Sequence, residues 1–106
     1  MARVTFIDHH DVARTVKADV GQSLMEVAKR HHISEIVGEC GGSCACATCH
    51  VHVADAWRAV TGPPTASESD LLDLVPERRA DSRLSCQIRI RAELDGLVVK
   101  TPQRQI

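Results

Sequence analysis

Four of the chain's five cysteines crowd into one short stretch, Cys40, Cys44, Cys46 and Cys49, and the fifth, Cys86, stands far downstream. Disulfides are rare in a reducing cytosol, so clustered thiols point there to metal or redox chemistry, and an odd count argues against a closed disulfide framework. The informative spacing is Cys40-x5-Cys46-x2-Cys49 followed by Cys86. Three thiolates from one loop and a fourth from a distant strand can hold a diiron cluster. Such a loop must wrap closely round an inorganic core and aim its amide N–H groups at anionic sulfurs. The small residues Gly41, Gly42, Ser43, Ala45, Ala47 and Thr48 meet that demand.

Other metal sites fit less well. A plant-type loop needs C-x4-C-x2-C; Cys44-x4-Cys49 begins it, but His52 stands where the next cysteine belongs. A Rieske site needs two histidine ligands at set spacing, and no C-x-H occurs. The four-iron spacing C-x2-C-x2-C is missing. A zinc ribbon offers two C-x2-C pairs where this chain has one. A mononuclear zinc site built from the same four cysteines stays open, and with it a zinc-binding interaction module. No Ser/His/Asp or paired-carboxylate arrangement supports side-chain catalysis, so an enzyme is not expected.

The elements that must position these thiols are read from periodicity. Arg3–Ile7 and Val12–Ala18 form a hairpin candidate across the polar break at 8–11. Ser23-x-x-Glu26 is a capping box that opens a helix to about His32, with Leu24, Val27 and Ala28 inward. Residues 38–50 are loop by composition, and Val51 and Val53 mark a short strand. After the break at Gly62-Pro63-Pro64, Thr65-x-x-Glu68 reads as a second capping box, opening a helix that Pro76 stops. Leu71, Leu72 and Val75 share one side of it, and Asp70, Asp73 and Glu77 the other. Ile88 and Ile90, alternating with Arg89 and Arg91, read as a half-buried strand, and Asp95-Gly96 turns into a last strand at Leu97–Val99. At 106 residues this is one domain, residues 1–106, of α+β class: a small mixed sheet packed on one helix.

Composition narrows the partners. Aromatics are 2%, Phe6 and Trp57 alone, so no stacking platform for single-stranded nucleic acid exists. Residues 35–77 hold seven acids against Arg58 alone, a net of −6, while the remainder carries +5. Such an acidic middle repels nucleic acid and suits a basic protein surface. No apolar run approaches a membrane span, and the start carries no signal or transit pattern, so a monomer in the cytoplasm is expected.

Cys40-Gly-Gly-Ser-Cys-Ala-Cys-Ala-Thr-Cys49-His50, Ser82-Arg-Leu-Ser-Cys-Gln-Ile88 and Leu94-Asp-Gly-Leu-Val-Val99 occur in that order. They resemble the vertebrate-type [2Fe-2S] ferredoxins, the adrenodoxin and putidaredoxin family, over nearly the whole chain. The resemblance implies a β-grasp fold, one-electron transfer and one [2Fe-2S] cluster per chain, held by Cys40, Cys46, Cys49 and Cys86. It implies shuttling from an NAD(P)H-dependent, FAD-containing ferredoxin reductase to a haem-thiolate monooxygenase of the cytochrome P-450 type. One branch of the family supplies iron–sulfur cluster assembly machinery instead.

The resemblance also marks single residues. His50 matches a histidine that ties the cluster loop to the lobe of the acidic helix. Glu68, Asp70, Asp73 and Glu77 match the partner-binding helix, and Glu39 and Arg83 lie at positions near the partner face. Putidaredoxin ends on a Trp used in partner contact, whereas this chain ends on Ile106. Cys44 falls outside the ligand set and reads as loop packing; a spare cysteine also resembles some assembly-type members. His52 is expected on the exposed side of its strand, and His9, His10, His31 and His32 in solvent.

Overall fold

The computed structural model describes residues 2–33, 50–75 and 78–102. In chain order they form β1 (Ala2–Ile7), β2 (Ala13–Ala18), α1 (Leu24–Arg30), β3 (His50–Val53), α2 (Asp55–Thr61), α3 (Ala66–Leu72), β4 (Ser82–Leu84) and β5 (Leu97–Lys100). Short 3-10 turns cover Ser85–Gln87 and Ala92–Leu94. The five strands make one mixed sheet in the order β2-β1-β5-β3-β4. Only the β1–β5 contact is parallel.

The alternation of β1 sends Ala2, Val4 and Phe6 inward, and the register sets Val4 beside Leu97 and Phe6 beside Val99. These residues join Leu24, Met25, Val27 and Ala28 of α1 in one aliphatic core. The start of α1 is the expected capping box: Ser23 Oγ accepts from the Glu26 amide, and the Glu26 carboxylate accepts from the Ser23 amide. A sheet grasping one helix is the α+β, β-grasp arrangement expected.

Three expectations need correction. The strand on Ile88 and Ile90 is not part of the sheet; Ser82–Leu84 takes that place as β4. Residues 88–90 are extended and alternate in burial, but their backbone bonds to residues 21–24 instead. Leu24 N donates to Ile88 O at 2.8 Å, and Ile90 N to Gln22 O at 2.8 Å. An extended segment shows a period of two whichever partner it finds. The second correction is α2, which was not expected. It buries no residue fully; arginines bond its last carbonyls, Arg91 reaching Val60 O at 2.6 Å and Arg83 reaching Thr61 O at 3.2 Å. Third, the capping box at α3 is only half made: Thr65 accepts from the Glu68 amide, but the Glu68 carboxylate turns elsewhere.

Gly96, at φ +97°, lies in the turn before β5, and a Cβ there would sit 3.3 Å from Trp57 Cζ2. Gly96→Ala therefore meets both a disfavoured backbone and the side chain that fastens α2. A loss of about 1–2 kcal/mol is expected. Chemical unfolding followed by fluorescence of Trp57, the chain's one tryptophan, measures it.

Candidate metal centre and its flanking acidic face

β3 and β4 run antiparallel with His50 opposite Leu84, Val51 opposite Arg83 and His52 opposite Ser82. The chain enters β3 from Cys49 and leaves β4 toward Cys86. The register therefore sets the exit of β4 toward Cys86 beside His50, the first residue of β3.

Cys86 sits in the 3-10 turn that follows β4 and is 4% exposed. The Gln87 side-chain amide donates to its Sγ at 3.4 Å. The neighbouring Ser85 Oγ is fully buried and has no hydrogen-bond partner among the described residues. A buried hydroxyl left without a partner is costly. A buried thiol beside an amide donor and an orphan hydroxyl is the donor chemistry that an anionic sulfur-ligated cluster needs, so these residues fit such a group. Cys40, Cys44, Cys46, Cys49 and Glu39 lie outside the described residues. Among the described residues no group of three or more His, Cys, Asp or Glu could hold a metal ion.

His50 is buried, with Nε2 2.8 Å from Ser82 Oγ, and Ser82 Oγ accepts from the Arg79 amide at 2.8 Å. It thus ties β3 to the segment that returns from α3. Burial pushes its imidazolium down to about 4, and His52, Arg79 and Arg78 push the same way against Asp81, so the ring is neutral at pH 7. His52 is not exposed as expected: it is 5% exposed, with Nδ1 2.8 Å from Asp81 Oδ1 and its ring edge-on to His50 at 4.6 Å. Both faces of β3 are covered, which alternation in the sequence could not reveal.

The expected partner residues divide. Asp70 and Asp73 are exposed, opposite the buried Leu72 and Val75. Asp73 is paired with Arg78, which softens the stripe. Leu74 stands beside them, 74% exposed. Glu77 and Ile106 lie outside the described residues. Glu68 and Arg83 are corrections: they are buried, and neither presents a charge to a partner. Glu68, 1% exposed, accepts from Arg83 Nε at 2.6 Å, from Arg83 Nη2 at 3.0 Å and from the Leu84 amide at 2.9 Å. Arg83 also donates to Gly62 O at 2.9 Å. One bidentate pair therefore fastens the end of α2, α3 and the strand that leads to Cys86. Glu68 looked like a half of a capping box because its long-range partner leaves no mark on local sequence.

The model for a 2Fe-2S iron–sulfur cluster binding domain matches residues 7–91. Terpredoxin from a Pseudomonas species is 48% identical over 103 residues, 96% of this chain and 97% of that one. A ferredoxin from Rhodopseudomonas palustris HaA2 superposes with a TM-score of 0.95 at 50% identity, covering 98% of this chain and 99% of that. Putidaredoxin in its covalent complex with putidaredoxin reductase superposes with a TM-score of 0.94 at 41% identity, covering 97% and 100%. With this likeness along its length and a site of matching chemistry, the chain belongs to the [2Fe-2S] ferredoxins of the adrenodoxin and putidaredoxin family: an electron carrier with one [2Fe-2S] cluster, not an enzyme.

Proposed function

We propose that this ferredoxin takes single electrons from an NAD(P)H-dependent, FAD-containing ferredoxin reductase. It passes them to a haem-thiolate monooxygenase of the cytochrome P-450 type, acting as a cytoplasmic monomer built as one domain over residues 1–106. The observation that carries the reading is the likeness, over nearly the whole chain, to putidaredoxin joined to its reductase. Cys40, Cys46, Cys49 and Cys86 hold the cluster, which supplies a one-electron redox centre when bound. The Gln87 amide, which donates to Cys86 Sγ, and the buried Ser85 hydroxyl beside it favour anionic sulfur at Cys86. A reducing cytoplasm suits a chain whose cysteines serve a metal.

Asp70 and Asp73 attract a basic reductase before contact. Attraction of this kind acts chiefly on the association rate and is screened over ~10 Å at 0.1 M salt. Asp70→Asn combined with Asp73→Asn should slow reduction by the cognate reductase several-fold at low salt, and the difference should shrink as salt rises. Stopped-flow reduction across ionic strength is the measurement; equal rates at low salt would make the stripe a merely solvated face.

The pathway is tested by reconstitution. NAD(P)H, reductase, this chain and a haem-thiolate monooxygenase should give substrate oxidation that depends on added chain. Reduction of the chain without onward transfer to the monooxygenase would count against the pathway.

A further inference from the structure

The two exposed acids of α3 are not equally available to a partner. Asp70 is exposed and has no ion pair among the described residues. Asp73, at the C-terminal cap of α3, is held from within the chain by Arg78. The guanidinium spans three acceptors of this helix. Arg78 Nη1 donates to the Asp73 carboxylate and to Ser69 O at 3.0 Å, and Nη2 donates to Ser69 Oγ at 3.0 Å. A planar fork with several fixed donors suits such a span, and an ammonium does not. The Arg78 side chain is 34% exposed and that of Asp73 67%, so the pair lies open to a competing cation. Leu74, 74% exposed, stands next to it, and an apolar contact bordered by charge is how protein interfaces are built.

We propose that Arg78 is a specificity-determining residue for docking: it masks Asp73, and a basic partner must displace it to use that carboxylate. The inference rests on the reading above that a basic reductase docks on this face. The exchange is one of ion pairs alone, a partner's cation taking the place of Arg78 on the same carboxylate. Asp73 is paired before and after, so the partner gains only the difference between its own cation and Arg78. A surface that offers a single cation settles on Asp70 and gains little more. One that offers a second cation at the spacing of Asp73 gains from both acids, and discrimination between partners is a difference of this kind. The displaced guanidinium keeps its two bonds to Ser69, so it stays at α3 and returns to Asp73 when the partner leaves. The helix is close to the strand that leads to Cys86, since its Glu68 bonds the Leu84 amide at 2.9 Å.

The test is stopped-flow reduction of the cluster-loaded protein by the cognate reductase at low salt. A second measurement needs no partner protein: oxidation of the reduced protein by hexaamminecobalt(III), a small trivalent cation that takes one electron. Arg78→Gln should speed both by about two- to five-fold, the size of an exposed ion pair, and the gain should shrink as salt rises. Arg89→Gln removes the same charge on the side of α1, where Arg89 bonds Gly21 O at 3.2 Å, and should gain less. In an Asp73→Asn background, Arg78→Gln should gain no more than Arg89→Gln does. Arg78→Lys keeps the charge but loses the fork; it too should be faster than the wild type, and it serves if the glutamine variant folds poorly. Arg78→Gln no faster than Arg89→Gln with the cobalt complex, or an undiminished gain in the Asp73→Asn background, overturns the inference. A wrong docking reading fails differently: the cobalt rates would separate the variants and the reductase rates would not.

Discussion

Serine at Cys86 or at Cys46 is expected to cost the protein its cluster, while serine at Cys44 should leave it in place. A serine oxygen is a harder and far more basic donor than a thiolate, so replacing one of four sulfur ligands loses or severely perturbs a diiron centre. At Cys86 the loss should be compounded by the surroundings. The Gln87 amide donates to this sulfur and loses its large anionic acceptor as well. Cys44 lies within the loop but outside the only set of four that fits a diiron spacing. Iron content and visible absorption of the three purified variants make the measurement. Iron retained in Cys46→Ser and stripped from Cys44→Ser would mean that the register of the ligand set is wrong.

The second large effect is structural. Glu68→Leu should lower stability by about 3–5 kcal/mol, the cost of leaving one partner of a buried pair without the other. Glu68 meets three donors in a region closed to water, Arg83 Nε, Arg83 Nη2 and the Leu84 amide. Without the carboxylate, a guanidinium and an edge-strand N–H stay buried with too few acceptors. The double variant Glu68→Leu with Arg83→Met removes the stranded charge and should recover a large part of the loss, since apolar replacement of a whole buried pair is often neutral. Thermal unfolding of the cluster-loaded proteins, monitored by far-ultraviolet circular dichroism, measures both. The disturbance should reach the cluster as well, because Arg83 and Leu84 are the strand residues just before Ser85 and Cys86. A Glu68→Leu variant as stable as the wild type would show that the pair contributes nothing.

Local signals in the sequence read well, and long-range ones did not. The β1–β2 hairpin, the capping box at Ser23 and Glu26, the inward faces of α1 and α3 and the last strand are all written in residue type at fixed spacing. Ile88 and Ile90 were correctly inward but wrongly assigned to the sheet, because periodicity reports which face is buried and not which strand does the pairing. Helix α2 carries no apolar stripe, being held by arginines at its carbonyl end, so no pattern announced it. The burial of His52 and the Glu68–Arg83 pair both depend on contacts between residues far apart in the chain. The cysteine spacing is the exception: metal ligands must meet at one point, so their types and intervals carry three-dimensional information that ordinary side chains do not.

The central claim, that the chain carries one electron on one [2Fe-2S] cluster, is tested most directly by coulometric reduction of the freshly purified protein with iron, sulfide and zinc analysis on the same sample. The account predicts two irons and two sulfides per chain and uptake of a single electron, reversed on reoxidation. Iron near four per chain, zinc in place of iron, or a protein that accepts no electron would contradict it.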